Sequence, residues 1–194
     1  MSQRQRPTIS PVTALLFQGG IGVVGALALW LFDIPLLTGE LGLAKALIYG
    51  GVGAAITYLL LLQLTKLTWL FPDNLSDQMQ ALYEFAASYR WPALVLLSLL
   101  AGVGEELLFR GAIQGWLLQN TGPWTAVIAA SLLFGLVHYV SLTYFVMATG
   151  LGLILGTGYQ ISGSMAMVMV WHAIYDMLAL YFLLNYPSWF GVRR

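Results

Sequence analysis

Long apolar runs separated by brief polar breaks dominate the chain. A membrane-spanning helix needs about 20 mostly apolar residues. Six stretches approach that length: Pro11 to Phe32, Leu43 to Leu64, Trp91 to Leu118, Trp124 to Val140, Leu142 to Tyr159, and Ser164 to Leu184. The breaks between the last four are so short that these helices are expected as antiparallel neighbours in one bundle. A further segment has a different character. From Leu75 to Tyr89, the apolar residues Leu75, Met79, Leu82, Ala86 and Tyr89 recur at helical spacing, with Asp77, Gln78, Gln80, Glu84 and Ser88 opposite. Asn74 is a candidate N-cap, and Asp77 places negative charge in the first turn. Too polar to span, this helix is expected to lie in the interface. The pattern predicts an all-α, polytopic membrane helix bundle of about six transmembrane helices plus one interfacial amphipathic helix. No internal repeat or low-complexity linker divides it, so residues 1–194 read as a single membrane domain.

Composition agrees with a lipid solvent. Hydrophobic residues make up 59% of the chain and charged ones 8%, against about 25% charged in a soluble domain. With a net charge of zero, nothing suggests a nucleic-acid partner, and none is expected. There is no cysteine, which removes disulfides, thiol nucleophiles and cysteine-ligated metals. The basic N-terminus has the flavour of a signal peptide, but the apolar run behind it is long and lacks a small-residue cleavage site. It reads as a retained first helix. With six spans, Arg4, Arg6, Lys66, Arg90, Arg193 and Arg194 fall on one side, and Asp33 and Glu40 on the other. Lys45 alone is basic near the second face. The positive-inside rule then predicts cytoplasmic termini. A small chain of this style points to a bacterial-type plasma membrane, with a thylakoid or organelle membrane as the alternative.

Charge reappears where lipid should exclude it. Glu105, Glu106 and Arg110 sit inside the third span, His138 in the fourth, and His172 and Asp176 in the sixth. Each ionisable group near the bilayer centre costs roughly 2.5–3.5 kcal/mol on insertion scales, so six of them in a charge-poor chain imply a use. Adjacent residues on a helix point about 100° apart, so Glu105 and Glu106 cannot share a role. Glu106 and Arg110 are four apart and are expected to pair, leaving Glu105 free to face a cavity. His172 and Asp176 share one stripe of the sixth helix, and Phe134 and His138 one stripe of the fourth. Three helices can thus aim Glu105, His138 and the His172–Asp176 pair at one point, although the span boundaries set the two histidines at different depths.

A desolvated glutamate beside neutral imidazoles is suited to take a proton from water. A histidine and a second hydrogen-bonding group can stabilise the oxyanion formed when that water attacks a carbonyl. Peptide hydrolysis is the natural reaction class. Glu105, His138 and His172 are also a legitimate three-ligand zinc set, so the residues leave open either no cofactor or a divalent metal. No hydroxyl–His–acid pattern, phosphate-binding glycine loop or H-E-x-x-H motif is present.

Glu105-Glu106-x-x-x-Arg110, Phe134-x-x-x-His138 and His172-x-x-x-Asp176, in that order on separate helices, resemble the CPBP family. This is the group of CAAX-prenyl-protease-type and bacteriocin-processing (Abi) intramembrane proteases. The resemblance covers a protease-like core from about 91 to 184. It implies that Glu105 acts on water with His138, and that His172 and Asp176 form the oxyanion-stabilising pair. Glu106 and Arg110 would hold supporting positions. Many members carry Asn at the last position, and an ionised Asp176 cannot donate a hydrogen bond. Its role then requires protonation or reduces to orienting His172. Members are described both as metalloproteases and as metal-free glutamate proteases. The partners implied are a lipid bilayer and a peptide or membrane-protein substrate, prenylated in some members.

Plainer readings stand beside these. Glu106 with Arg110 also reads as a pair that stitches helices together, His138 as a packing histidine, and Phe134 as core that shapes the site. Trp69, Trp91, Trp124 and Trp189 fit interfacial anchors, and Trp171 is expected to pack rather than line a pocket. Gly150, Gly152, Gly156 and Gly158 suggest close helix approach. A proton-coupled transporter or channel would use the same residue types in a relay, but it often shows repeated halves. A non-catalytic scaffold would be expected to have lost Glu105 or a histidine.

Overall fold

The computed structural model describes residues 9–64 and 75–193. Arg4, Arg6, Lys66, Trp69, Asn74 and Arg194, invoked above for orientation, anchoring and capping, lie outside the described residues. Seven helices occur among those described: α1 (Pro11–Leu31), α2 (Leu43–Leu64), α3 (Leu75–Ala87), α4 (Trp91–Asn120), α5 (Pro123–Val137), α6 (Leu142–Ser162) and α7 (Met165–Asn185). A 3-10 turn, Pro187–Phe190, follows. The described residues contain no strand.

Local chemistry starts and stops these helices. Ser10, Ser141 and Ser164 each cap a helix, accepting from the backbone N–H of Thr13, Tyr144 and Met167 at 3.1, 3.1 and 3.3 Å. Gly163, at φ 61°, ends α6 in the left-handed region and lets α7 begin two residues later.

Five helices, α1, α2, α4, α6 and α7, are long and apolar enough to cross a bilayer. The protein is an integral, multi-pass membrane protein. The fourth apolar stretch departs from expectation: α5 is apolar but stops at Val137 after 15 residues. At 1.5 Å per residue it rises only about 22 Å, short of the ~30 Å hydrocarbon core.

The packing order also differs from a simple antiparallel series. α5 and α6 do pack along each other, but α7 packs mainly between α2 and α4 rather than on α6. α1 lies along α4. On α3, Ala86 is buried, as is Tyr89 just beyond the helix, while Asp77, Glu84 and Ser88 are exposed. The amphipathic pattern is therefore seated against α7 and the C-terminal turn. Tyr89 donates to the Ile9 carbonyl at 2.7 Å, and the Arg193 N–H donates to Gln80 at 3.0 Å. The first described residues, α3 and the C-terminal turn thus share one face. At the opposite face the 32–42 connection is tied down, with Leu37 N–H donating to the Tyr159 hydroxyl and Gly39 N–H to Gly163 O. Trp91, Trp124 and Trp189 are exposed at or near helix ends, where an amphipathic ring suits a membrane interface.

Candidate active site

The site is built around α4, the long helix that carries Glu105, Glu106 and Arg110. Glu105 and Glu106 are both buried, and directly after them the helix widens into a π-helix over Leu107–Gln114. A regular helix was expected there. Widened turns of this kind are frequent at functional sites. The expected pair survives the widening, with Arg110 Nε 3.1 Å from Glu106 Oε2.

Arg110 is 1% exposed. Its Nη2 donates to the Gly152 carbonyl at 3.1 Å, and its guanidinium lies 4.8 Å from the centre of the Phe134 ring. One π-helical step further, Gln114 Nε2 donates to Gly156 O at 3.2 Å. Both acceptors are glycines of α6, and an added Cβ there would lie 3.1 Å from Ser131 or 3.0 Å from Gln114 Oε1. Gly158 is likewise packed, against Trp171, whereas Gly150 faces open space. The close approach predicted from this glycine run therefore holds for three of its four members.

Glu106 has a second ligand that spacing did not reveal. His172 Nδ1 lies 2.8 Å from Glu106 Oε1. A carboxylate can only accept, so Nδ1 carries the hydrogen. His172 is therefore oriented by Glu106 rather than by its helical neighbour Asp176, whose Oδ2 is 3.8 Å from Nε2.

Glu105 faces the other way. Its Oε2 is 3.6 Å from His138 Nε2 and 3.9 Å from His172 Nε2. His138 Nδ1 contacts the Phe134 carbonyl at 2.8 Å, which again places the hydrogen on Nδ1. In the neutral rings both Nε2 lone pairs thus face Glu105. The depth mismatch expected from the spans disappears because α5 is short. His138 is its C-cap residue, and the chain turns inside the bundle at the level of the glutamates.

Glu105, His138, His172 and Asp176 line one pocket of about 610 Å³. From them the pocket extends past Leu61, Met147, Leu151 and Leu183 to Met79 and Leu82 of α3 and Trp189 of the C-terminal turn. Phe134 lines it as well, while Trp171 does not; that indole packs on Gly53 and donates to Thr57 Oγ1 at 3.0 Å. Gln18 of α1 was missed. Its Nε2 donates to Glu105 Oε1 at 2.6 Å, so Glu105 does have a partner. The available signal was a lone amide within an apolar span. Tyr144, also in the pocket wall, carried no spacing signal because it has no motif partner on its own helix.

Residues 87–178 match the Rce1-like family, described as type II CAAX prenyl endopeptidase Rce1-like. The matched segment contains all three polar motifs in order. The chain belongs to this family. It is also 31% identical over 133 residues to the uncharacterized protein YpbD of Bacillus subtilis (strain 168), an alignment covering 67% of this chain. The chain covers 65% of the length of that relative. No solved structure matches it. For this Rce1-like chain the question of a metal can be tested against the donor set. Two imidazoles with their Nδ1 sides fixed and Nε2 sides bare resemble the second-shell arrangement of zinc ligands. Among the described residues, however, no group of three His, Asp or Glu is placed to hold a metal ion.

Proposed function

We propose that the protein is a membrane-embedded endopeptidase in which Glu105 activates water to hydrolyse a peptide bond. The observation that carries this reading is the meeting of Glu105 Oε2 with the Nε2 atoms of His138 and His172 at the wall of a large pocket. A water within reach of Glu105 Oε2 and His138 Nε2 can donate one hydrogen to each. Its lone pair is then directed at the substrate carbonyl. As the water oxygen bonds to that carbon, Glu105 takes one proton and later delivers it to the leaving amine nitrogen, so the cleaved bond yields one new carboxyl and one new amine. The oxyanion formed in between needs a donor. His172 supplies one from Nε2 when its ring is the imidazolium, with Nδ1 held by Glu106. Asp176 borders the same space and would bias the His172 ring.

The substrate class is a peptide or membrane protein. The apolar length of the pocket supports a hydrophobic segment beside the scissile bond, and prenylated substrates are one class to test. The distribution of basic residues supports cytoplasmic termini, and the small size of the chain supports a bacterial-type plasma membrane. The gathering of Ile9, α3 and Arg193 at one face supports the termini lying on one side.

The test is a mass-spectrometric cleavage assay in lipid. A peptide library, prenylated and unprenylated, is presented to wild type and to His138→Ala, with and without a chelator. Cleavage by wild type that falls by about 10²-fold in the variant supports the reading. Survival of activity in chelator assigns the chemistry to the side chains; loss that added zinc restores assigns it to a metal. No cleavage of any peptide by a folded wild type overturns the proposal.

A further inference from the structure

We infer that Gln18, on the first helix and outside the family-matched segment 87–178, is a positioning residue for Glu105. The inference rests on the hydrolytic reading above for its consequence, but not for its geometry. Inside α1, Gln18 is the only side chain with an amide, and an amide left unpaired in hydrocarbon is strongly unfavourable. Its Nε2 donates to Glu105 Oε1 at 2.6 Å. A carboxylate with one oxygen fixed by a donor on one side presents its other oxygen on a defined line. Here that oxygen is Oε2, directed between His138 and His172.

The backbone is arranged to make this reach feasible. Gly22 and Gly25 follow Gln18 at four and seven residues, on the same face of α1. A Cβ on Gly22 would lie 3.1 Å from Gly104 Cα, and one on Gly25 2.7 Å from Leu108 N. From the other side, a Cβ on Gly104 would lie 2.9 Å from Gly22 N and 3.2 Å from Gln18 O. The two helices therefore touch backbone to backbone on either side of the glutamates, closer than any larger residue allows. This contact brings a side chain of only five heavy atoms to Glu105. The sequence segment that carries the family motifs is thus completed by a donor from a helix that carries none of them.

Two variants and two readouts test the inference. Gln18→Leu keeps the volume and suits a lipid-embedded helix while removing the donor; Gln18→His returns an N–H at similar reach. In Gln18→Leu, kcat is expected to fall roughly tenfold with KM and Tm unchanged, and Gln18→His to recover most of the loss. Independently of activity, a hydrophobic carbodiimide, which reacts with protonated carboxyls, is expected to label Glu105 several-fold faster in Gln18→Leu. Glu106 labelling should not change. A Gln18→Leu protein with wild-type labelling of Glu105 overturns the inference. So does a loss of rate that accompanies a matching loss of Tm and is not rescued by His. Absence of cleavage by wild type would count against the hydrolytic reading alone, because the labelling comparison still decides the role of Gln18.

Discussion

The two adjacent glutamates of α4 organise two unlike halves of one polar cluster. On the Glu106 side the contacts are short and shut away: an ion pair to Arg110 at 3.1 Å, a hydrogen bond to His172 at 2.8 Å, and no exposure of Glu106 to solvent or pocket. On the Glu105 side Gln18 holds Oε1 at 2.6 Å, but from Oε2 the contacts to His138 and His172 stretch to 3.6 and 3.9 Å and the onward His172–Asp176 contact to 3.8 Å, and Glu105, His138, His172 and Asp176 all open on the pocket. The short set has the geometry of a frame, with charge matched to charge where water cannot reach. The long set has room for a water and a substrate carbonyl. His172 belongs to both, held by its Nδ1 in the frame and offering its Nε2 to the pocket.

Substitutions should separate the two halves. The largest stability effect is expected on the closed side. Glu106→Ala leaves Arg110 buried without its counter-charge, a cost of about 3–5 kcal/mol, and Tm should fall by roughly 10 °C. Adding Arg110→Met to Glu106→Ala should recover much of that loss, because a neutral apolar pair removes the uncompensated charge. Thermal unfolding in detergent or lipid checks both, and an unchanged Tm in Glu106→Ala would break the comparison. Next comes His138→Asn, expected to lower the cleavage rate by about 10²-fold with Tm unchanged, since its ring is only partly buried and makes one short hydrogen bond, to Phe134 O. Smallest is Asp176→Asn. With its 3.8 Å contact and 29% side-chain exposure, it should change the rate by less than about tenfold and leave Tm within error. A hundredfold loss there would move Asp176 into the chemistry and blur the division.

Much of this was legible from the residues. Hydropathy located the long helices within a few residues, because a spanning helix must satisfy its backbone internally and clothe itself in apolar side chains. Charges in the wrong solvent pointed to Glu105, Glu106, Arg110, His138, His172 and Asp176. Helical spacing yielded the Glu106–Arg110 pair. What it could not yield were contacts between helices. The bond from His172 to Glu106 joins residues 66 apart, and that from Gln18 to Glu105 residues 87 apart; no periodicity encodes either. The early end of α5 was hidden because Val137, Tyr139 and Val140 continue the apolar run past the point where the chain turns. The π-helix was hidden for a similar reason: Leu107 to Gln114 reads as ordinary helix.

The most direct test of the division between frame and site is a paired measurement on Glu105→Gln and Glu106→Gln. Initial cleavage rate and Tm are recorded on the same lipid-reconstituted preparations beside wild type. Glu105→Gln should retain the wild-type Tm and lose about 10³-fold or more in rate, while Glu106→Gln should lose Tm as well as rate. Equal Tm values for the two variants with cleavage retained in Glu105→Gln would contradict the account.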